Sequence, residues 1–589
     1  MSDYGSVRIV THRDVPHDDN LRAEWNALVN GMPRPKIFYT YEWALAVARS
    51  YGATLKPLLL AGYSGNRLIG IAALATGADG REVSFLARTT ADYCDFICAP
   101  GFAKEFIAAV VETISDLRLP EFVLANLPAD SDTARLLPAA AHRCGYGQFS
   151  RHAYECLRVQ FETLQQRQGV RSALLRKDTV QRYENGVAKL GRVEFRHLTS
   201  IEDIGSALPE LFEAHVARFL STGRISNLAL LERRSFMWEL TRLLAPSGSV
   251  MLTQLTLGDR PVAWNYGFSF ARTWSWYQPT FDMQLRQYSP GLYLLARTVQ
   301  DACERPDVDV VDLGLGSEPY KQRLANDTRH TLHVTVSKSG IVLGKAAVRY
   351  KAAAAVRKSA RLDLMARRFS LRALQIASDL QRDGLKQSAY RAFSRLRPPK
   401  PEEEIVFFEF LGSLSSSPVT SSLRPIDLQL LAAAAMEYSG ERETLNYLLR
   451  SSAKLSAGQA GFAQVDSRGV PVHFCWLTDF EGFDLAELGC TLRAPCPGST
   501  LLVDYWTRCT RGSIGEYGAV MAGVASRVQT ADRPVWVYAS ATDAAALFAI
   551  ESVGFCKKFS LARKRWTGRV ERLESQAVPE VQASAACAD

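Results

Sequence analysis

The sequence predicts an α/β fold of three consecutive modules, each a mixed central sheet flanked by helices, with a basic helical arm between the second and third. Three observations carry this prediction. At 589 residues the chain is too long for one hydrophobic core. Its composition, 47% hydrophobic and 22% charged, supplies enough apolar material to offset chain entropy. Finally, one cycle of helices, strand meander, further helix and closing strand can be read three times.

The first module covers residues 1–151. A helical pattern at 43–51 precedes strands at 57–63 and 68–74, paired around Ser64-Gly65-Asn66. Residues 83–86 and Asp92-Tyr-Cys-Asp-Phe-Ile-Cys98 continue the sheet, 102–117 is helical, and 121–125 returns as a strand. The second module, 152–340, begins with one long polar helix over 164–190 and a strand at 193–198. Helices at 202–219 and 232–244 lead to strands at 249–257, 261–270 and 273–278. A turn-rich loop then enters a helix at 292–304, and a short buried strand follows at 308–313. Trp264, Tyr266, Phe268 and Phe270 alternate with Asn265, Gly267 and Ser269, which marks a sheet face. Trp274, Trp276 and Tyr277 either fill the core or line a sugar site.

Residues 341–404, an arm and linker, break the cycle. Between 341 and 400 fifteen Lys or Arg stand against three Asp. The whole chain carries only +9, so the remainder is slightly acidic and offers no general nucleic-acid surface. The arm reads as a solvated connector, a clamp over an anionic ligand, or a helix lying on an anionic membrane surface. The third module, 405–570, repeats the cycle, and 571–589 reads as a disordered tail.

Several function classes drop out. No window approaches the roughly 18 uninterrupted apolar residues of a spanning helix, and the N-terminus lacks the basic and apolar run of a secretory signal. Eleven cysteines form no Cys-x-x-Cys pair. The expectation is a cytoplasmic protein with reduced thiols, peripheral to the inner face of the membrane if the arm binds there. His330 and His333 would share a helical face, but no cysteine pair or acidic cluster completes a site, so no metal is expected. The absence of a Gly-x-Ser-x-Gly elbow, a P-loop and a full dinucleotide fingerprint sets aside hydrolase, kinase and dehydrogenase readings.

In the third module Arg511-Gly-Ser-Ile-Gly515 lies between a strand and a helix, where backbone amides and a helix dipole can hold a pyrophosphate. A plain strand-to-helix turn is the other reading. Together with Asp543-Ala-Ala-Ala-Leu-Phe-Ala-Ile-Glu-Ser-Val-Gly-Phe555, this region resembles the GNAT acetyltransferases, whose Arg/Gln-x-x-Gly-x-Gly/Ala loop binds the CoA pyrophosphate. The resemblance implies cofactor contacts at Arg511, Gly512, Ser513, Ile514 and Gly515. Cys509 and Ile514 depart from the loop pattern, and Ile550 stands where many members carry the tyrosine that protonates the CoA thiolate.

The second module carries Tyr277-Gln-Pro-Thr-Phe-Asp282, Arg286-Gln-Tyr-Ser-Pro-Gly291 and Asp312-Leu-Gly-Leu-Gly-Ser-Glu-Pro-Tyr-Lys321, with Trp43 and Asp92-Tyr-Cys-Asp95 upstream. Over residues 25–340 these look like the CelD-like acetyltransferases associated with polysaccharide synthesis, relatives of the FemAB transferases. The resemblance implies two packed GNAT-like halves, with acetyl-CoA or another acyl-CoA as co-substrate in the second. Arg286, Gln287, Tyr288, Ser289 and Gly291 offer a cation and a helix N-terminus for its phosphates. Asp282, Glu318, Tyr320 and Lys321 are the candidate catalytic groups. One carboxylate would take the acceptor's proton and Tyr320 would return one to the thiolate. Alternatively, Asp282 caps the turn before Arg286, while Tyr320 and Lys321 pack the last helix and pair with a surface acid.

The expected function is acyl transfer from acyl-CoA to an amine or hydroxyl of a sugar, sugar nucleotide or other envelope or exopolysaccharide precursor. The expected partners are a small carbohydrate-linked acceptor and a membrane or polysaccharide-synthesis partner at 341–400. Two alternatives stand beside it: a FemAB-like transferase using aminoacyl-tRNA, and a non-catalytic GNAT-like scaffold.

Overall fold

The computed structural model describes residues 7–357 and 404–574, apart from 78–79, 81, 177, 413–421, 509–513, 531 and 564–568. The chain divides into two compact units, Met1–Arg218 with Ser226–Arg367, and Phe219–Ile225 with Arg368–Asp589.

The first module of the first unit runs β1 (Arg8–His12), α1 (Asp19–Asn30), α2 (Tyr41–Tyr51), β2 (Leu55–Ser64), β3 (Arg67–Gly77), β4 (Glu82–Phe85), β5 (Ile97–Cys98), α3 (Ala103–Asp116), β6 (Glu121–Pro128), α4 (Asp132–Arg143) and β7 (Gly147–Gln160). After α5 (Leu164–Arg176) and α6 (Asp178–Ala188) the second module runs β8 (Val193–Leu198), α7 (Ile201–Ser221), α8 (Leu231–Leu244), β9 (Val250–Leu257), β10 (Arg260–Phe270), β11 (Thr273–Phe281), α9 (Pro290–Glu304), β12 (Val310–Leu315), α10 (Pro319–Gln322) and β13 (Asp327–Ser337). The helix α11 (Gly340–Arg357) follows.

Local chemistry sets these boundaries. Asp18 caps α1, accepting from the Asn20 and Leu21 amides, and Thr40 caps α2 through the Trp43 amide. Gly65, at φ +59°, lets β2 turn into β3. In α3, Phe106 lies flat over the sheet, and a Cβ at Gly62 or Gly70 would fall 2.6 Å from its ring.

Both modules use one plan. β1, β2, β3 and β4 form an antiparallel meander, and β6 joins β4 in parallel through Glu82↔Glu121, Val83↔Phe122 and Ser84↔Val123. Likewise β8, β9, β10 and β11 form a meander, and β12 joins β11 in parallel through Thr273↔Val310, Trp274↔Val311 and Ser275↔Asp312. In the second module β11 runs on to Phe281 and β12 to Leu315 beyond the last of these pairs, so the two parallel strands part there. The trailing strands are exchanged: β7 of the first module pairs with β12 of the second, while β13 of the second pairs with β6 of the first. β7 and β13 also pair with each other. One thirteen-stranded sheet results.

The second unit follows the same plan. β14 (Glu404–Phe410) precedes β15 (Leu423–Pro425), α12 (Leu428–Glu437), α13 (Arg442–Ser456), β16 (Gly461–Val465), β17 (Pro471–Asp479), the small pair β18 (Asp484–Leu485) and β19 (Cys490–Thr491), and β20 (Thr500–Thr507). Then come α14 (Ile514–Val528), β21 (Val535–Ser540), α15 (Ala544–Glu551), β22 (Phe555–Arg563) and β23 (Val570–Glu574). β20 and β21 run parallel for two residue pairs before separating. β14 lies between β21 and β22, as β7 lies between β12 and β13.

Three readings of the sequence change. Of residues 92–98 only Ile97 and Cys98 pair as a strand; Asp95 is met instead by the Phe96 amide and the Thr133 side chain, donors that a ladder would not bring. Leu164–Arg176 and Asp178–Ala188 are helical, as the polar run predicted, with residue 177 outside the described residues. His330 and His333 lie on the strand β13 rather than on a helix, and line different cavities. Residues 570–574, expected in or beside a disordered tail, pair with β22. The arm beyond residue 357 lies outside the described residues.

Candidate active site

The core of the first unit is aromatic where the modules meet. Trp43 of α2, fully buried, lies 5.3 Å from Phe236 of α8, 5.3 Å from Phe268 of β10 and 5.6 Å from Tyr277 of β11, and its indole N–H donates to Thr90 Oγ1 at 3.1 Å. Trp264, Trp274, Trp276 and Tyr277 are buried as well, so these rings are core. Edge-to-face packing of this kind adds to the area they bury.

A polar network crosses this core. Asp312 on β12 is 2% exposed, and its carboxylate accepts from Lys36 Nζ at 2.8 Å, Tyr93 Oη at 2.9 Å and the Gly314 amide at 3.1 Å. Burial alone would raise its pKa. The Lys36 ammonium and these donors outweigh burial and hold Asp312 below the usual carboxylate range. Lys36 also lies over the Tyr93 ring, 4.5 Å from its centroid.

Beside this fixed anion lies Asp92. A Cβ at Gly314, whose φ is +71°, would come 2.6 Å from Asp92 Oδ2 and 3.5 Å from the Trp276 carbonyl. The carboxylate is therefore packed against the backbone where β11 and β12 separate. Burial, then the charge of Asp312, push its pKa up to about 7; Lys321, Arg233 and Lys36 oppose the shift. Buried Arg233 donates to Tyr277 Oη at 2.6 Å, and Tyr277 Oη donates in turn to the Thr90 carbonyl. The loop carrying Asp92 is thereby tied to the second module.

Lys36 and Tyr93 also line a cavity of about 330 Å³, together with Tyr39, Asp95, Asp130 and Arg329. Asp95 is likewise raised to about 7, by burial first, against bonds from Thr133 and the Phe96 amide. Aromatic rings and both signs of charge thus converge on one recess.

The residues singled out from sequence form two groups at the ends of β11 and β12. Asp282 caps the 3-10 turn Met283–Tyr288 through the Gln284 amide at 2.9 Å and pairs with Arg260, the turn-capping arrangement. Arg286, in that turn, is exposed and has no ion-pair partner among the described residues. Gln287 is exposed beside it, and Tyr288 passes 3.6 Å from the position of a Cβ on Gly186. Ser289 takes φ +49° at the N-cap of α9, Pro290 occupies the first helical position, and a Cβ at Gly291 would sit 2.9 Å from Phe281. Left-handed turn, proline entry and close-packed glycine together form a helix N-terminus with a free cation beside it, which fits a pyrophosphate.

After β12, Lys321 is 5% exposed and donates to the Leu315 carbonyl at 2.8 Å while pairing with Glu318 Oε2 at 2.8 Å. Glu318 is largely exposed. Tyr320 packs against the core, and burial followed by the Glu318 charge push its pKa to about 12. It therefore stays protonated at neutral pH. In the second unit, Ile514 and Gly515 begin α14; Arg511, Gly512 and Ser513 lie outside the described residues. Ile550 is buried in the core of that unit.

Lys36, Asp92, Tyr93, Arg233 and Asp312 were not singled out as site residues from sequence. One signal was present: Asp312 interrupts the apolar strand Val310-Val-Asp-Leu313, and a charge at such a position needs a buried partner.

Residues 175–322 match the family model described as an acetyltransferase (GNAT) domain. No curated protein matches the sequence. Among solved structures the chain is similar to FemX, at 10% identity over 53% of this chain and 95% of that one, with a TM-score of 0.38. It is similar to a tandem GNAT protein from the clavulanic acid biosynthesis pathway, at 11% identity over 57% and 99%, TM-score 0.32. A conserved protein of unknown function from Bacteroides thetaiotaomicron is similar at 12% identity over 56% and 100%, TM-score 0.38.

Proposed function

We propose that this chain, which carries a GNAT acyltransferase domain, transfers an acyl group, acetyl in the simplest case, from acyl-CoA to an amine or hydroxyl of a carbohydrate-linked precursor, as a CelD-like enzyme of exopolysaccharide or envelope synthesis would. The observation that carries this reading is Asp92, a carboxyl with a pKa of about 7 packed against the backbone where β11 and β12 part.

Acyl-CoA would supply an activated thioester carbonyl. Arg286 and the α9 N-terminus, with Ser289 and Gly291 shaping the turn, bind its pyrophosphate. The cavity at Tyr39, Tyr93 and Asp95 takes the acceptor, its mixed aromatic and hydrogen-bonding walls suiting a polyhydroxylated molecule. Asp92 accepts the proton of the attacking amine or hydroxyl as its bond to the acyl carbon forms. Asp312, kept anionic by Lys36, raises the basicity of Asp92 toward neutral pH. As the carbon–sulfur bond breaks, Tyr320 gives its proton to the thiolate. Lys321 holds the Leu315 carbonyl, and with it the end of β12.

The test is calorimetry with acetyl-CoA, followed by thiol release in the presence of amino sugars and sugar nucleotides. Binding that weakens in Arg286→Ala and turnover lost in Asp92→Asn are expected. Absence of both binding and thiol release would overturn the proposal, and activity abolished by ribonuclease would point to an aminoacyl-tRNA donor instead.

A further inference from the structure

A second recess in the first unit shares no lining residue with the cavity at Lys36 and Tyr93. The start of α11 crosses one face of β7 and β13, held by Leu343 against Gly147, where a Cβ would meet Leu343 Cδ1 at 2.7 Å, and by Tyr350 against Phe149, with ring centroids 6.1 Å apart. Between helix and sheet runs a groove of about 680 Å³. Its cationic walls are Arg88 from the loop after β4, Arg151 from β7 and Arg349 from α11, with His333 from β13 between them.

The lining contains no carboxylate. Glu82, just outside, pairs with Arg88. Among the described residues neither Arg151 nor Arg349 has an ion-pair partner; Arg151 rests over the Tyr350 ring, 5.7 Å from its centroid. Elsewhere in this unit Lys36 is matched by Asp312, Arg158 by Asp327 and Arg167 by Asp309, while buried Arg233 is held by Tyr277 Oη and the Thr89 carbonyl. Burial, and then the charge of Arg151, lower the pKa of His333, with Arg88 adding to the shift against Glu82. Two guanidinium groups without an ion-pair partner among the described residues, from β7 and α11, share one concave surface with the Glu82-paired Arg88; such a surface complements a multiply charged oxyanion, and arginine's planar fork favours phosphate.

We propose that the groove between α11 and the β7–β13 face binds a phosphate-bearing ligand, separately from the acyl-donor turn at Arg286, with Arg151 and Arg349 as its principal contacts and Arg88 and His333 at its edges. Tyr350 orders Arg151 for this contact. The volume accommodates a diphosphate together with part of the group it carries.

The test is titration of the full-length protein with inorganic pyrophosphate by calorimetry, in the wild type, Arg151→Gln/Arg349→Gln and Arg286→Ala. The proposal expects affinity in the double variant to fall at least tenfold and Arg286→Ala to retain this binding. Arg349→Gln alone, a change of an exposed side chain, is expected to weaken binding without altering Tm, which separates loss of a contact from loss of fold. A second arm measures co-flotation with phosphatidylglycerol and phosphatidylcholine vesicles. Flotation with the former only, lost in the double variant, identifies a lipid headgroup as the source of phosphate; pyrophosphate binding without flotation identifies a soluble ligand. If neither pyrophosphate nor phosphatidylglycerol binding depends on these two arginines, the proposal is overturned, even if acetyl-CoA binds as expected.

Discussion

The Asp92 carboxylate and the Cα of Gly314 are in direct contact: a methyl group at residue 314 would lie 2.6 Å from Asp92 Oδ2. An acid from the first module thus reaches the point where β11 and β12 of the second part, at a position where only glycine leaves room and where the backbone is left-handed. Gly314→Ala is expected to lower turnover by at least tenfold and to destabilise the fold by about 1–3 kcal/mol. Steady-state kinetics and thermal unfolding of the same preparation measure both.

The raised pKa of Asp92 sets a pH profile. As proton acceptor it must be ionised, so kcat/KM should rise through about pH 7 and level off above it. Asp92→Asn should abolish that limb together with most of the activity. The stability effect has the opposite sense. From the unfolded pKa, near 4, up to about 7 the native state holds the proton more tightly than the unfolded chain, so Asp92 makes stability fall as pH rises through that window. Asp92→Asn should therefore raise Tm relative to the wild type at pH 8, and the gain should shrink toward pH 4. An Asn variant less stable than the wild type at pH 8 would refute this account.

Lys36 and Asp312 form a buried pair whose partners depend on each other. Lys36→Met leaves a buried carboxylate without its counter-ion and is expected to cost about 3–5 kcal/mol, much of it recovered in Lys36→Met/Asp312→Asn. Urea unfolding of the three variants and the wild type closes the double-mutant cycle. Strict additivity would mean that the two residues do not interact.

Arg286 is exposed and unpaired among the described residues, so Arg286→Ala should leave Tm within about 1 °C of the wild type. Its effect should appear as weaker acetyl-CoA binding, by about tenfold, the loss of one charge-assisted contact. A change in Tm without a change in affinity would assign Arg286 to structure instead.

Trp43→Ala removes a fully buried indole that touches both modules and is expected to destabilise the protein by about 3–5 kcal/mol. Because Trp43 also bonds Thr90, two residues from Asp92, activity should fall further than the loss of folded protein explains. Activity per folded molecule is the discriminating measurement.

What the sequence made legible was periodic or local. The hairpin around Gly65, the meander from Val250 to Phe281 and the turn from Arg286 to Gly291 each follow from spacing, glycine or proline within a few residues. The strand exchange was not legible, because β7 is half exposed and its partners β12 and β13 arise far along the chain. The same holds for the acid site. Asp92 and Asp312 are 220 positions apart, and the contacts that fix their ionisation, Lys36 Nζ and the Gly314 backbone, exist only once the two modules share a sheet. Asp282, prominent in the sequence, meets its needs locally through Gln284 and Arg260.

The exchange of β7 and β13 also bears on how the protein is made. During synthesis β6 emerges early, yet one of its edges stays unpaired until Asp327–Ser337 has left the ribosome, and β7 waits for the same segment and for Val310–Leu315. At ordinary elongation rates that interval is on the order of ten seconds. Neither module can complete its sheet co-translationally on its own. Expressed separately as residues 1–160 or 161–340, each would display an open strand edge of the kind that recruits chaperones or drives aggregation, whereas co-expressed halves carry the complementary strands needed to restore one another.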